Sequence, residues 1–175
     1  MTALISLHNN TLGRLEMTSG WLTPTLARLV FAATLLVYYW NSATTKLGSG
    51  FFGFLFPSDG AYVQIFPKAM EAVSYDSSQL GIMHWAIAVA GTWAEFLLPT
   101  LIVIGLLSRF AALGMLAFVW VQTIVDVTGH GTELGSYFTN AVSLLDDRTL
   151  WSFLLAVIVI NGAGPLSVDR ILHIK

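Results

Sequence analysis

Residues 82–109 read IMHWAIAVAGTWAEFLLPTLIVIGLLSR, which is the length and composition of a helix that crosses a membrane. About 20 apolar residues span the hydrocarbon core of a bilayer, and we predict a span from Ile82 to Leu107. Within residues 82–108, Glu95 is the only Asp, Glu, Lys or Arg, and it lies near the middle of the predicted span. An ionisable group at that depth is costly, so Glu95 has to face the bundle interior or a cavity.

The composition of the whole chain agrees with a membrane protein. Of 175 residues, 55% are hydrophobic and 10% are charged, against about 25% charged in an ordinary soluble domain. Mean hydropathy is +0.72. These values exclude a conventional soluble domain, a disordered chain and a coiled coil, and the net charge of −2 without a basic stripe argues against nucleic-acid binding. Cysteine is absent, which excludes disulfides and thiolate metal sites, so a redox role would need a bound cofactor or a partner.

Three more apolar segments predict an all-α, four-helix integral membrane bundle in one domain, residues 1–175. They run over residues 24–45, 110–127 and 150–162. Pro24 suits the first turn of a helix. Residues 1–21 could form a short interfacial helix or a frayed tail, and residues 128–147 read as a polar, acidic connection.

Residues 47–80 are too rich in Gly and Pro to span a membrane and too aromatic for a plain solvated loop. Aromatic rings are favoured at the membrane interface, so we expect an interfacial segment between the first two spans. Residues 68–73 could form one or two helical turns. Two interpretations are open, a cap over the bundle and a loop resting on the membrane.

The distribution of Lys and Arg predicts the orientation. One end of the bundle holds five of these residues, namely Arg14, Arg28, Arg109, Arg170 and Lys175. The other end holds three, Lys46, Lys68 and Arg148. The excess predicts N- and C-termini on the cytoplasmic side of the membrane.

Glu95 is the candidate catalytic residue. Pro99 follows four residues later and cannot donate to the carbonyl of Glu95, so we predict a kink beside the buried acid. A functional acid is one interpretation, and an acid locked in an inter-helix hydrogen bond or ion pair is the other. His84 lies three helical turns earlier on the same face, either at the mouth of a cavity or as an interfacial histidine.

The third span carries Gln122, Asp126 and His130 at intervals of four, on one face if the helix continues past Gly129. Asp126 and His130, with His84, are candidate metal ligands, although two ligands on one helix make a weak site. Solvated interface residues are the alternative.

Polar side chains of the spans cluster in the outer half of the predicted bundle. The candidate ligand-binding residues are Tyr38, Asn41, Lys46, Trp93, Gln122 and Asp126. The cluster predicts a polar pocket that opens outward, with Trp93 able to stack on a flat ligand. Polar residues that hold the helices together would give a similar pattern.

Three motifs make the chain resemble the DoxX family of small four-helix membrane proteins. The first is the series from Arg28 through YYW (38–40) to KLG (46–48). The second is AEFLLPTLIVIGLLSRFAALG (94–114), and the third is GAGPLSVDR (162–170). Glu95, Arg109 and Asp169 match recurring positions of the family. The resemblance implies a four-helix bundle related to the small subunit of thiosulfate:quinone oxidoreductase, in a bacterial inner membrane.

The leading functional hypothesis is the membrane subunit of a redox system that holds a quinone in the outer-half pocket. Glu95 would exchange protons, Tyr38 and Asn41 would bond a quinone oxygen, and Trp93 would stack on the ring. The alternative is a non-enzymatic accessory protein that handles a metal or small solute, or anchors a partner. Expected partners are membrane lipid and either another subunit or a second copy of the chain.

Overall fold

The computed structural model describes residues 2–139 and 142–174, without the side chains of residues 14–16. The side chains of Arg14 and Lys175, two of the five basic residues that predict cytoplasmic termini, are therefore not among those described. The described residues form helices and loops and contain no strand. Three helices are long and apolar enough to cross a membrane: Met17–Lys46, Ile82–Ile104 and Ser108–Thr128. The prediction of an all-helical fold is confirmed for the described residues, and three of the four predicted spans fall on helices that are long and apolar enough to cross a membrane.

Nine α-helices follow one another along the described chain. They are α1 (Thr2–Thr11), α2 (Gly13–Phe31), α3 (Val37–Lys46), α4 (Asp59–Ile65), α5 (Pro67–Ala72), α6 (Ile82–Ile104), α7 (Ser108–Thr128), α8 (Leu144–Asn161) and α9 (Val168–Ile171). A π-helical segment, Ala32–Leu36, joins α2 to α3, and a 3₁₀ turn, Ser77–Gln79, precedes α6.

The first long helix begins earlier than predicted. Pro24 lies inside α2, whose first residue is Gly13, so the prediction of a helix start at Pro24 was wrong. The Pro24 ring is fully buried. It packs so closely on Gly164 that a Cβ atom added to this glycine would lie 3.1 Å from the ring. A proline inside a helix loses one backbone hydrogen bond, and here its ring fills a tight contact with the loop after α8.

The π-helical segment keeps one face of this helix in the core. Ala27, Phe31, Leu35, Tyr39 and Ala43 are all buried, and each lies four residues after the one before. In a regular α-helix, four steps of four residues drift about 160° around the axis. The wider π turn absorbs part of that drift, so α3 turns the same stripe inward as α2.

The core lies between four long helical elements, because α2, the π segment and α3 pack against α6 and α8, and α7 packs against both α6 and α8. Phe31, Tyr39, Met115, Val119 and Leu155 are buried there.

Helix α8 starts at Leu144, six residues before the predicted span, and Asp146 and Asp147 belong to its first turn rather than to a connection. Ser143 and Asp146 form a capping box. With Arg148, three charges fall in these 18 residues, and α8 is not among the three candidate spans.

The segment between the first two spans folds over the end of the bundle where α3 ends and α6 begins. Helix α5, Pro67–Ala72, lies close to the turn predicted over residues 68–73. Met70 is fully buried against Ala88 of α6, with Tyr62 beside it. By contrast, Phe51, Phe52 and Phe56 are largely exposed. The segment therefore has a packed half and an exposed aromatic half.

Candidate functional site

The central feature of the site is a buried ion pair between α3 and α6. The Lys46 ammonium donates to both oxygens of Glu95, at 2.9 and 3.1 Å, and both side chains are at least 94% buried. Lys46 also donates to the hydroxyl of Ser42 at 2.7 Å, and that hydroxyl donates to Glu95 at 3.2 Å. The pair is what an ionisable group in an apolar environment requires, since each charge is compensated and hydrogen-bonded.

The helices bring these residues together for identifiable reasons. On α6, Ala88, Thr92, Glu95 and Pro99 form one buried stripe, because they are spaced three or four residues apart along the helix. Lys46 ends α3, and its long side chain reaches back one turn to Ser42 and across to the stripe. Helix α6 continues through Pro99 to Ile104, and Trp40 donates to the carbonyl of Phe96 at 3.4 Å.

The ion pair opens into a cavity of about 190 Å³. Helices α3, α6 and α7 form its walls, and α4 covers it with Gln64 and Ile65. Its polar lining, besides the ion pair and Ser42, consists of Gln64, Gln122, Asp126 and His130. The remainder is apolar, including Ile87, Phe118 and Val121. An apolar cavity with a few converging polar groups is the usual form of a small-molecule site.

A second ion pair borders the cavity on the side of α8. Arg148 donates to Asp126 at 3.0 Å, and its guanidinium lies 4.3 Å from the ring centre of Trp151. The Arg148 side chain is 4% exposed and Asp126 is 26% exposed. Arg148 does not line the cavity, but each carboxylate in the lining is paired with a cation, so the charged groups at and beside the cavity sum to no net charge.

Four of the seven predicted site residues line the cavity together: Lys46, Glu95, Gln122 and Asp126. Tyr38 lies behind them and accepts a hydrogen bond from the amide of Gln122 at 3.1 Å. Asn41 and Trp93 are not in the lining. Asn41 is exposed at the surface of α3, and Trp93 donates to the carbonyl of Phe54 at 3.2 Å. The roles predicted for Asn41 and Trp93 thus have no support in the cavity.

The candidate metal ligands do not form a cluster. His84 packs edge-on against Phe66, with ring centres 4.8 Å apart, and does not line the cavity. Helix α7 ends at Thr128, so His130 is not on its face; it lies in the following loop and contacts the carbonyl of Gln64 at 2.9 Å. No group of three or more His, Cys, Asp or Glu suited to a metal occurs among residues 2–139 and 142–174.

Sequence reasoning did not identify Ser42, Gln64 and Arg148 as site residues. Ser42 could have been found, because it precedes Lys46 by one helical turn. Arg148 lies between the predicted connection, residues 128–147, and the predicted span from residue 150. The capping signal at Ser143 and Asp146 would have placed it inside α8. Gln64 gave no local signal, because only the folding of α4 over the bundle brings it to the cavity.

Three further charged residues, Arg28, Asp169 and Arg109, bond to the backbone at the opposite end of the bundle. Arg28 donates to four carbonyl groups, those of Ile102, Val103, Ala163 and Leu166, at 2.5–2.9 Å. Asp169 accepts from the backbone N–H of Leu107 and Ser108 at 2.6 and 2.9 Å. Arg109 donates to the carbonyls of Val159 and Ile160. These residues satisfy helix ends and loops, which is a role in the fold.

Gly105 completes this arrangement. Its φ is +72°, and a Cβ there would lie 2.5 Å from Cβ of Ser167 and 2.9 Å from the Arg28 guanidinium. Glycine therefore permits both the left-handed turn after α6 and the close approach of Arg28.

Comparison with known proteins found no matching family model, no matching curated protein and no matching solved structure. The function has to be argued from the cavity and its residues.

Proposed function

We propose that the chain is a DoxX-type inner-membrane protein that binds the head group of a quinone in the cavity beside Lys46 and Glu95. It would act there as the membrane subunit of a redox system. The observation that carries the proposal is the buried Lys46–Glu95 pair that opens into a small cavity within the bundle. The motifs that resemble DoxX support the same assignment.

The size and lining of the cavity suit one ring with two carbonyl oxygens. About 190 Å³ is below the usual 300–1,000 Å³ of drug-sized sites, so a single ring fits and an isoprenoid tail would extend into the lipid. Phe118, Val121 and Ile87 offer apolar contacts to the ring faces. The amide of Gln122 gives one N–H to Tyr38 and has a second for a ring oxygen. Lys46 directs its three N–H groups at Glu95 and Ser42, so in this proposal one of them turns from Glu95 to the other ring oxygen when the ligand binds. The absence of net charge suits a neutral ligand.

The ion pair supplies what quinone chemistry needs from a protein. Reduction of a quinone to the hydroquinone takes up two electrons and two protons. In this proposal the electrons come from a partner subunit with a flavin or haem group. Lys46 gives a proton to one ring oxygen, and a second proton passes through Glu95 to the other. Each transfer is followed by reprotonation from the outer surface, past Asp126 and His130.

The proposal includes a fourth span, α8, and cytoplasmic termini in a bacterial inner membrane. The three charges of α8 lie within residues 146–148, next to its outer end, and no Asp, Glu, Lys or Arg follows before Asn161. Arg148 is paired with Asp126 and stacked on Trp151, so its charge is compensated. An apolar remainder packed against α7 is consistent with a span whose first turn sits at the interface.

Native mass spectrometry of the protein from native membranes tests the proposal. We expect a bound quinone on the wild type and its loss in Gln122→Leu and Glu95→Gln. Glu71→Gln is the matched control, because it also replaces a carboxylate by an amide but lies on the exposed surface of α5. Thermal unfolding of each variant separates loss of the ligand from loss of the fold.

Wild-type protein that binds no quinone when saturated with a short-chain quinone would contradict the proposal. Equal retention of quinone in all three variants would place its site elsewhere.

The exposed aromatic half of the capping segment favours a second function, anchoring of a partner. Phe51, Phe52 and Phe56 expose 84%, 59% and 65% of their surface. A triple substitution to Ser should release a co-purifying subunit and leave quinone binding unchanged if the anchor is a separate function. Retention of the subunit would remove this candidate.

A further inference from the structure

A second, larger cavity lies at the opposite end of the bundle from the proposed quinone site. Its volume is about 520 Å³, and it is bounded by the inner part of α2, the start of α7 and the loop after α8. Trp21, Ser108, Arg109, Phe110 and Arg170 are among its lining residues. The proposed quinone chemistry uses none of them.

Hydrogen-bond donors without acceptors gather around this cavity. The hydroxyl of Ser108 is fully buried and has no partner among the described residues. The backbone N–H groups of Arg109 and Phe110 lie in the first turn of α7 and likewise have no acceptor in the described part of the chain. A buried polar group without a partner is costly, so these donors indicate a missing acceptor.

Positive charge accompanies the donors. Arg109 uses only its Nη1 on the carbonyls of α8, which leaves Nε and Nη2 for another acceptor. The Arg170 side chain is exposed and makes no hydrogen bond or ion pair within the described residues. Asp169 is the one acid in the lining, and both of its oxygens already accept backbone N–H groups. The charged side chains of the cavity that remain free to bind a ligand are therefore the two cations, Arg109 and Arg170.

We propose that this cavity binds a phosphate-type oxyanion, held by Arg109, Arg170, the Ser108 hydroxyl and the first turn of α7. Phosphate oxygens are the acceptors that guanidinium groups and helix N-termini bind best. The shared chemistry fits the head group of an anionic phospholipid or free phosphate.

The surroundings favour the lipid as the source. Trp21 and Phe110 are 47% and 74% exposed at the edge of the cavity, where acyl chains of a bound lipid would lie. Tryptophan is typical of the membrane interface, and basic pockets at that level bind anionic head groups.

The experiment is native mass spectrometry of the detergent-solubilised full chain with added phosphatidylglycerol, phosphatidylcholine or inorganic phosphate. Arg170→Gln should weaken phosphatidylglycerol binding about tenfold, the usual effect of losing one charge-assisted contact. Lys68→Gln is the matched control, because it removes one exposed positive charge at the other end of the bundle. The affinity of Lys68→Gln for phosphatidylglycerol should equal that of the wild type. Phosphatidylcholine should bind equally to the wild type and to both variants.

Each outcome decides the proposal. Weaker phosphatidylglycerol binding in Arg170→Gln, but not in Lys68→Gln, supports the lipid site. If Arg170→Gln weakens binding of inorganic phosphate equally and the protein does not prefer phosphatidylglycerol, the same site binds free phosphate. Equal affinities in Arg170→Gln and Lys68→Gln overturn it. If Arg170→Gln fails to fold, Ser108→Ala takes its place, since it removes a hydroxyl that has no partner among the described residues. Unchanged binding in that variant then overturns the proposal.

Discussion

The two ends of this bundle use charged residues in different ways. At the end of the bundle near Gly105, Arg28 and Asp169 bond to backbone groups at helix ends and loops. In the half that contains Glu95, Lys46 with Glu95 and Arg148 with Asp126 bond to each other beside a cavity. A charge that satisfies a backbone group has no other partner to exchange, whereas a charge paired with a side chain can pass a proton or accept a ligand oxygen. Side-chain pairs beside a cavity are thus the better indication of function.

This comparison predicts that Arg28 contributes most to stability. Arg28→Met removes donors from four carbonyl groups in one step, and hydrogen bonds to a charged group contribute about 1.5–3 kcal/mol each. Because such losses are not additive, we expect the free energy of unfolding to fall by about 4 kcal/mol. Reversible unfolding in mixed micelles measures it.

Arg170→Met is the control for that substitution, since Arg170 carries the same charge on an exposed side chain without partners in the described chain. It should change the unfolding free energy by less than about 0.5 kcal/mol. Similar values for the two variants would remove the distinction between the ends of the bundle.

A double-mutant cycle on Lys46 and Glu95 sharpens the comparison. Lys46→Met or Glu95→Gln alone leaves a buried group without its partner, and each should cost about 3 kcal/mol of unfolding free energy. The double variant should cost well below the sum, with a coupling energy of about 2 kcal/mol. If the losses of unfolding free energy in the two single variants simply add in the double variant, the two charges act independently, and the ion pair would be contradicted.

The sequence predicted the half of the bundle around Glu95 better than it predicted the connections. Glu95, Lys46, Gln122 and Asp126 were found because a polar residue in an apolar span must face inward, and the helical period places it. At the other end of the bundle, the sequence analysis placed Arg28 and Asp169 in motifs but did not predict their contacts. Both side chains bond to backbone groups far along the chain, and no local sequence pattern indicates such contacts.

The errors have physical causes as well. Asn41 was assigned to the pocket from its depth and its helix face, and Trp93 from its depth and its place beside Glu95. In the structure, rotation about the helix axis places Trp93 against the carbonyl of Phe54 and Asn41 at the surface. The π segment at Ala32–Leu36 changes that rotation for everything after it in the first span. Its presence depends on tertiary packing, so the sequence period could not predict it.

The smallest expected effect comes from Asp76, an exposed carboxylate that also satisfies a backbone group. It accepts hydrogen bonds from the hydroxyl of Ser78, the side chain of Gln79 and the backbone N–H of Ser78, and these lower the pKa of Asp76 below its ordinary 3.8. The folded turn therefore favours the ionised form. Its contribution to stability is present in full at pH values above 3.8 and is lost as the pH falls through the lower, folded pKa.

An NMR titration of the Ser78 amide measures this step. We expect a midpoint below 3.8 in the wild type and no step in Asp76→Asn. A midpoint at or above 3.8 would show that the turn does not hold the carboxylate. Asp169 makes the same kind of contact with the N–H groups of Leu107 and Ser108, but there it is buried. Because water screens the exposed contact, Asp76→Asn should destabilise the fold less than Asp169→Asn does.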